Sequence, residues 1–412
     1  MRKIKIPLVL REEGIIDFIF ISALILFFFS DAANKYLVYR GADFTRISII
    51  VRAVYELIFF LLIMLFINKS RLQFLIFFGA LFLIFATGQL MVANHSEGKY
   101  NFMENINIFN KYLFVLIIYF AIYKYQYYQA NFKRLIKVLD IIFIANSILI
   151  IIGFVFRIRM FSTYILYNAF TYKFGYSGLI PVQNEATLFL FLGLSFYYYR
   201  YLILSRVEDK WKFICVFVSA FLLGTKGIYI FLFLLFVYHF FKKTSIRQKK
   251  IAGYVALFLA LAIFIFFQTG YSRILFGYYL REFNEFGLWH TLLSGRNTFF
   301  GYKLLEILSS WNPLNFFIGG QDQSKYLMEM DLVDAFLFFG LIGTCLMFVF
   351  YFKTLFRFTL KNSFFSFFVF SFFLIAFFAG HFFASAVNAL YLCVVSLFFY
   401  ISHKQKEIKQ VE

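Results

Sequence analysis

Blocks of about 17 or more apolar residues recur along the chain, separated by short polar segments, and each is long enough to cross a hydrocarbon core about 30 Å thick. The pattern predicts twelve spans, at roughly 14–30, 47–67, 72–92, 109–123, 135–156, 185–204, 211–224, 227–241, 251–268, 334–352, 363–379 and 388–402. Two stretches need special handling. Residues 211–241 are broken only by Gly224-Thr225-Lys226-Gly227, which suits two short helices meeting at a tight turn. Residues 363–402 are broken at Gly380-His381, with Asn388 beyond. Between 269 and 333 the apolar pattern lapses for about 65 residues, which reads as one large loop outside the membrane.

Composition agrees with an all-α polytopic membrane protein. The chain has 412 residues, 62% of them hydrophobic and only 15% charged, too little polar surface for a soluble domain. It reads as a single integral membrane domain, residues 1–412, with the 269–333 loop part of it. The net charge of +19 could point to nucleic acid, but the placement of the charges argues against that. Segments 1–13, 68–71, 124–134, 205–210, 242–250, 353–362 and 403–412 are about one-third Lys or Arg, against about one-tenth in the alternate segments. Both termini are therefore expected in the cytoplasm and the 269–333 loop outside it. No cleavable leader is evident at the basic N-terminus. Cys215, Cys345 and Cys393 all lie in apolar blocks, so neither a disulfide framework nor a zinc site is expected.

Several polar groups are candidates for chemistry. Ser294-Gly295-Arg296-Asn297 offers a turn and a guanidinium fork suited to phosphate, although a loop arginine needs no such role. Glu329, Asp331 and Asp334 cluster where the membrane resumes, ahead of Gly340-Leu341-Ile342-Gly343. Asp331 and Asp334 would share a helix face, and helix capping is a sufficient use for such a pair. Lys226 stands at the broken turn, where it either pairs or reaches the membrane surface. Asn184 and Glu185 open the sixth span and could cap it. His381 and His290 are further candidates, more simply explained as packed or loop polar groups. Arg281 adds a cation to the large loop, whose six acids and five bases leave it near neutral. Glu56 and Asp140 stand out as charges within the expected spans.

Together these features resemble the O-antigen polymerase (Wzy) family, within the wider group that includes the O-antigen ligases. The likeness covers most of the chain, in span number, a late large outer loop and both termini inside. Ser294-Gly295-Arg296 resembles the family's loop arginine motif, and Leu223-Gly224-Thr225-Lys226-Gly227 its Ser/Thr-Arg/Lys turn between central spans. Glu329-x-Asp331-x-x-Asp334 followed by Gly340-Leu-Ile-Gly343 is similar to the stretch that re-enters the membrane. Gln183-Asn184-Glu185 resembles the start of a middle span. At the position of the ligase His-Asn pair this chain has Glu329-Met330, which argues for polymerase over ligase.

The resemblance implies an inverting glycosyl transfer at the outer face of a bacterial cytoplasmic (inner) membrane. A glycan on undecaprenyl diphosphate would be passed to another lipid-linked repeat unit, giving O-antigen, capsule or exopolysaccharide. It implies no cofactor and no metal. Arg296 and Lys226 would meet the diphosphate, with Arg281 in support, and Glu329 would be the base, with Asp331 as its rival. A chain-length regulator and a flippase would be partner proteins. A ligase-type glycosyltransferase, and a lipid-linked oligosaccharide flippase or other transporter, stand as the alternatives.

Overall fold

The computed structural model describes residues 8–42, 47–66, 68–95, 100–122, 129–164, 174–243, 270–293, 296–323, 328–357, 363–378 and 380–411. The expected span at 251–268 and the residues Ser294 and Gly295 lie outside the described residues. In chain order the helices are α1 (Leu8–Tyr39), α2 (Ile47–Phe66), α3 (Asn68–His95), α4 (Phe102–Ile122), α5 (Gln129–Val155), α6 (Gln183–Tyr198), α7 (Lys210–Leu222), α8 (Lys226–Lys243), α9 (Gly270–Leu293), α10 (Arg296–Ser309), α11 (Pro313–Ile318), α12 (Asp331–Lys353), α13 (Ser363–Phe378) and α14 (Ala386–Val411). The only bridge between extended segments among the described residues joins Ser162 and Tyr176.

Eight of these helices are long and apolar enough to cross a membrane: Gly14–Tyr39, Ile47–Leu65, Ser70–Ala93, Phe102–Ile122, Phe132–Val155, Gln183–Ile203, Asp331–Lys353 and Ala386–Gln405. The protein is therefore an all-α, membrane-embedded chain, with lipid-compatible residues such as Phe18, Leu57, Leu72, Ile76 and Leu83 on its outer surface. Residues 211–241, expected as two spans, form the shorter α7 and α8, and 363–378 forms the shorter apolar α13. The bundle centres on α6 and α14, whose apolar windows are 83% and 78% buried, against 22% for α3 at the periphery.

Two spans run beyond the bounds that hydropathy predicts, α1 at its end and α4 at its start, for one reason: their polar residues find partners inside the protein. Helix α1 continues past residue 30 and takes in Asp31 and Lys35. Asp31 pairs with Arg52 of α2. The Lys35 ammonium donates to Ser177 Oγ at 2.7 Å and to the carbonyls of Gly178 and Ile180 at 2.6 and 3.1 Å. Three donors meet three acceptors, so a buried cation is tolerated. Helix α4 starts at Phe102 rather than near 109, because buried Asn105 donates to Asp322 at 2.8 Å and accepts from the Gln323 amide at 3.0 Å.

That second contact changes the picture of the 269–333 segment. Its described part is largely helical, and its end is docked in the bundle rather than free. Asn312 and Asn315 cap α11 reciprocally, with Pro313 at its first position. Gly319 (φ 74°) then lies against the Gly340 kink of α12 (φ 64°). A Cβ on Gly319 would stand 2.5 Å from the Gly340 nitrogen, and one on Gly340 would stand 2.3 Å from the Gly319 nitrogen. Only glycine lets the two main chains meet so closely. Gln321 and Gln323 follow, both buried, with Gln89 of α3 donating to the Gln321 carbonyl at 3.2 Å and Gln323 donating to the Asp334 carbonyl at 2.9 Å.

At the opposite end of the bundle, a π-helical turn at Tyr199–Ile203 carries Arg200 into a closed charge network. Arg200 meets Asp209 at 2.7 Å and Asp140 at 3.0 Å, and Tyr197 donates to Asp140 at 2.8 Å. Asp140, a charge within an expected span, is thus neutralised where α5, α6 and α7 come together.

Candidate functional site

The polar ends of α6, α10, α12, α13 and α14 meet at one end of the bundle. Arg296, the first residue of α10, sends one guanidinium nitrogen to Glu329 Oε2 at 2.8 Å and the other to the Phe378 carbonyl at 2.5 Å. A residue of the helical excursion is thereby tied to both the entry of α12 and the exit of α13. The guanidinium side chain is 15% exposed and the Glu329 side chain 47%, so the pair sits at an opening and not in the core.

Glu329 owes its position to its neighbours. It has φ 56°, an uncommon backbone state for a residue with a Cβ. The Asp334 carboxylate holds that turn from below, accepting the amides of Met328 at 2.8 Å and Met330 at 3.1 Å. Gly380 closes it from above, where a Cβ would come 3.0 Å from Glu329 Cα. Asp334 therefore shapes the site without facing it.

Asp331 reaches the other way. Its carboxylate receives the main-chain amides of His381 at 2.6 Å, Phe382, and Phe383 at 2.9 Å. Asp331 and Asp334 are both buried at the start of α12, yet neither acts as a simple N-cap, since the N-cap residue is Met330 with no side-chain bond. One carboxylate pins the segment 380–383 and the other pins 328–330, and between them they set Glu329 beside His381.

Glu185 is not a cap either, because α6 begins behind Val182 without a side-chain capping bond. Its carboxylate accepts the Ser385 hydroxyl at 2.8 Å, and its carbonyl accepts the Asn388 amide at 3.1 Å. Asn184 is buried beside it. His381, between these anchors, carries φ 71°. Burial pushes its imidazole pKa down from the ordinary value. Glu185 and Glu329 push it up, and Lys111 and Arg296 push it down again. Four charged side chains from different parts of the chain thus act on this one imidazole.

Lys226 donates to the Thr291 carbonyl, on the stretch just before Arg296. The turn that carries it is fixed by Thr187 and Thr225, whose hydroxyls meet at 2.7 Å, and by Gly224 at φ 74°. His290 pairs with Glu282 of its own helix. The break at Gly287 (φ 82°) folds α9 so that His290 comes within 3.4 Å of Glu282, eight residues away, a separation of about 12 Å in a straight helix. Arg281 is an exposed residue of α9.

Sequence reasoning passed over Lys111, Ser385 and the Asp31–Arg52 pair. Lys111 carried a signal, since it lies within a span and such charges call for a reason. Ser385 carried none, because a serine in an apolar stretch is indistinguishable from a packed hydroxyl. The arrangement offers a guanidinium for an anion, carboxylates on either side and an imidazole between them, which suits charge stabilisation and proton transfer. Among the described residues no group of three or more His, Cys, Asp or Glu is placed to hold a metal. Comparison of the chain with family models, curated proteins and solved structures returns no match, so any functional reading rests on these residues themselves.

Proposed function

We propose that the protein is a membrane glycosyltransferase that extends a bacterial surface polysaccharide, passing a glycan from undecaprenyl diphosphate to the terminal sugar of another lipid-linked repeat unit. In this reading Arg296 receives the diphosphate, assisted by Lys226, and a proton acceptor comes from the ionisable groups beside it, Glu329 first among them. The cytoplasmic membrane, with both termini inside, is the proposed location.

The observation that carries the reading is the Arg296–Glu329 pair at a half-open position, backed by a built frame. Two buried carboxylates, Asp331 and Asp334, are spent on holding main chain around it. A diphosphate that displaces Glu329 from Arg296 would free a carboxylate at the moment the donor binds, which couples donor binding to base availability. The test is genetic and chemical together. Loss of the gene should leave single repeat units on lipid diphosphate, and Arg296→Ala should reproduce that loss at normal protein level.

A transporter is the second reading, favoured by the buried Asp31 and Lys35 of α1 and the half-buried Arg52 of α2. Lys35 is bonded to fixed main-chain acceptors, and these groups gather at one end of the bundle instead of marking a path through it. An assay of lipid-linked glycan crossing in vesicles, with no polymer formed, would favour the transporter.

A further inference from the structure

The segment 380–385 is pinned at both ends by carboxylates from different helices. Asp331 of α12 takes three successive amides at its start, and Glu185 of α6 takes the Ser385 hydroxyl and, through its carbonyl, the Asn388 amide at its end. Gly380 is pressed against the Glu329 main chain. Within this frame His381 is held at φ 71°, a state that persists in a residue with a Cβ only when its surroundings over-determine it. The backbone amide of His381 is engaged by Asp331, yet the imidazole makes no hydrogen bond to any described residue. A ring so placed, with no hydrogen-bond partner among the described residues, is open to a ligand.

Among the described residues, the charged groups that act on that ring belong to the cluster already described. Glu185 comes from α6, Glu329 from the turn before α12, Lys111 from α4 and Arg296 from α10. The two carboxylates favour a proton on the ring and the two cations oppose it. A diphosphate at Arg296 would cancel one of the opposing cations and so raise the proton affinity of the imidazole as the donor binds.

We propose that His381, in place of Glu329, is the group that accepts the proton of the attacking sugar hydroxyl, with Glu329 and Glu185 as the carboxylates that stabilise the imidazolium. This rests on the glycosyl-transfer reading above. In the step, the acceptor O–H proton moves to an imidazole nitrogen and the acceptor oxygen bonds to the anomeric carbon. The bond from that carbon to the diphosphate oxygen breaks, and its electron pair leaves with the diphosphate, whose charge Arg296 meets. The imidazolium then returns its proton to solvent. Asp331 serves as a positioning residue, since it acts on the ring only through the main chain.

The test uses the full-length protein in two arms. In cells lacking the gene, wild type, His381→Gln and Glu185→Gln are compared at matched protein level, with lipid-linked products separated on gels. His381→Gln should slow polymerisation about 10²–10⁴-fold, and Glu185→Gln, which leaves the imidazole in place, should slow it less. In the second arm, carbethoxylation of each histidine in the purified protein is followed by mass spectrometry against pH, with and without farnesyl diphosphate as probe. His381 should react at neutral pH, farnesyl diphosphate should protect it, and Glu329→Gln should move its titration to lower pH. If wild type polymerises and His381→Gln keeps the wild-type rate, the His381 assignment is wrong while the glycosyl-transfer reading stands. An unreactive His381 in folded protein would overturn the assignment as well. If wild type supports no polymer, both fall together.

Discussion

Arg296 and Glu329 are 33 residues apart in sequence and 2.8 Å apart in space, and Glu329 reaches that distance only through a left-handed backbone turn. The pair places an acidic competitor on the guanidinium that is proposed to bind an anion. Glu329→Gln should therefore tighten binding of a diphosphate probe such as farnesyl diphosphate, by about two- to fivefold for a pair this exposed. Arg296→Ala should abolish that binding, and Arg296→Lys should remain impaired, since an ammonium cannot replace the two-pronged contact. Fluorescence or calorimetric titration of the purified protein reads all three. Weaker binding in Glu329→Gln would mean that the carboxylate helps hold the ligand and does not compete with it.

Asp331 and Glu329 should separate cleanly by stability. Asp331 is buried and accepts three main-chain amides, so Asp331→Asn loses charged hydrogen bonds worth about 2–3 kcal/mol and loosens the segment that carries His381. Its thermal midpoint and its activity should fall together. Glu329→Gln, at a half-exposed position, should leave the midpoint near wild type while activity falls. Equal midpoints for the two variants would contradict the anchoring role of Asp331.

His381 should leave a signature in acid. Burial holds its pKa below the ordinary 6.5, the carboxylates nearby only partly offsetting that. Just below that value the unfolded chain carries more proton on this side chain than the folded protein does. Folding stability contributed by the neutral ring is therefore complete above it and declines as pH falls through it. Thermal midpoints taken between about pH 5 and 7 should drop more steeply for wild type than for His381→Gln. A steeper drop in the variant would mean that the folded protein favours the imidazolium.

Orientation rests on the distribution of Lys and Arg, and it has its own test. A reporter fused after Ser310 should read as outside the cytoplasm, and one fused after Lys249 as inside. A cytoplasmic signal after Ser310 would move the Arg296 cluster to the wrong face of the membrane for a polysaccharide polymerase.

The long spans were legible in sequence because an unbroken apolar run has few other uses. Their ends were not. Hydropathy stops a helix at Asp31 or Lys35, while the structure continues it because Arg52 and the 177–180 main chain supply partners from far along the chain. The docked end of the 269–333 segment was hidden in the same way, since Gln321, Asp322 and Gln323 read as loop until Gln89 and Asn105 are seen to receive them. At the site, Arg296, Glu329, Asp331, Asp334, Glu185 and His381 could each be picked out as polar groups near span boundaries. That Glu329 would face Arg296 while Asp331 faced the His381 backbone could not, because adjacent acids in sequence differ only in which way the turn sends them.

The central claim is that the Arg296 cluster joins lipid-linked glycans. It is tested most directly by separating lipid-linked products from cells lacking this gene and carrying either wild type or Arg296→Ala at equal protein level. The account predicts a ladder of long glycans with wild type and single repeat units on lipid diphosphate with Arg296→Ala. A ladder of wild-type length from the Arg296→Ala cells, or from cells with no copy of the gene, would contradict it.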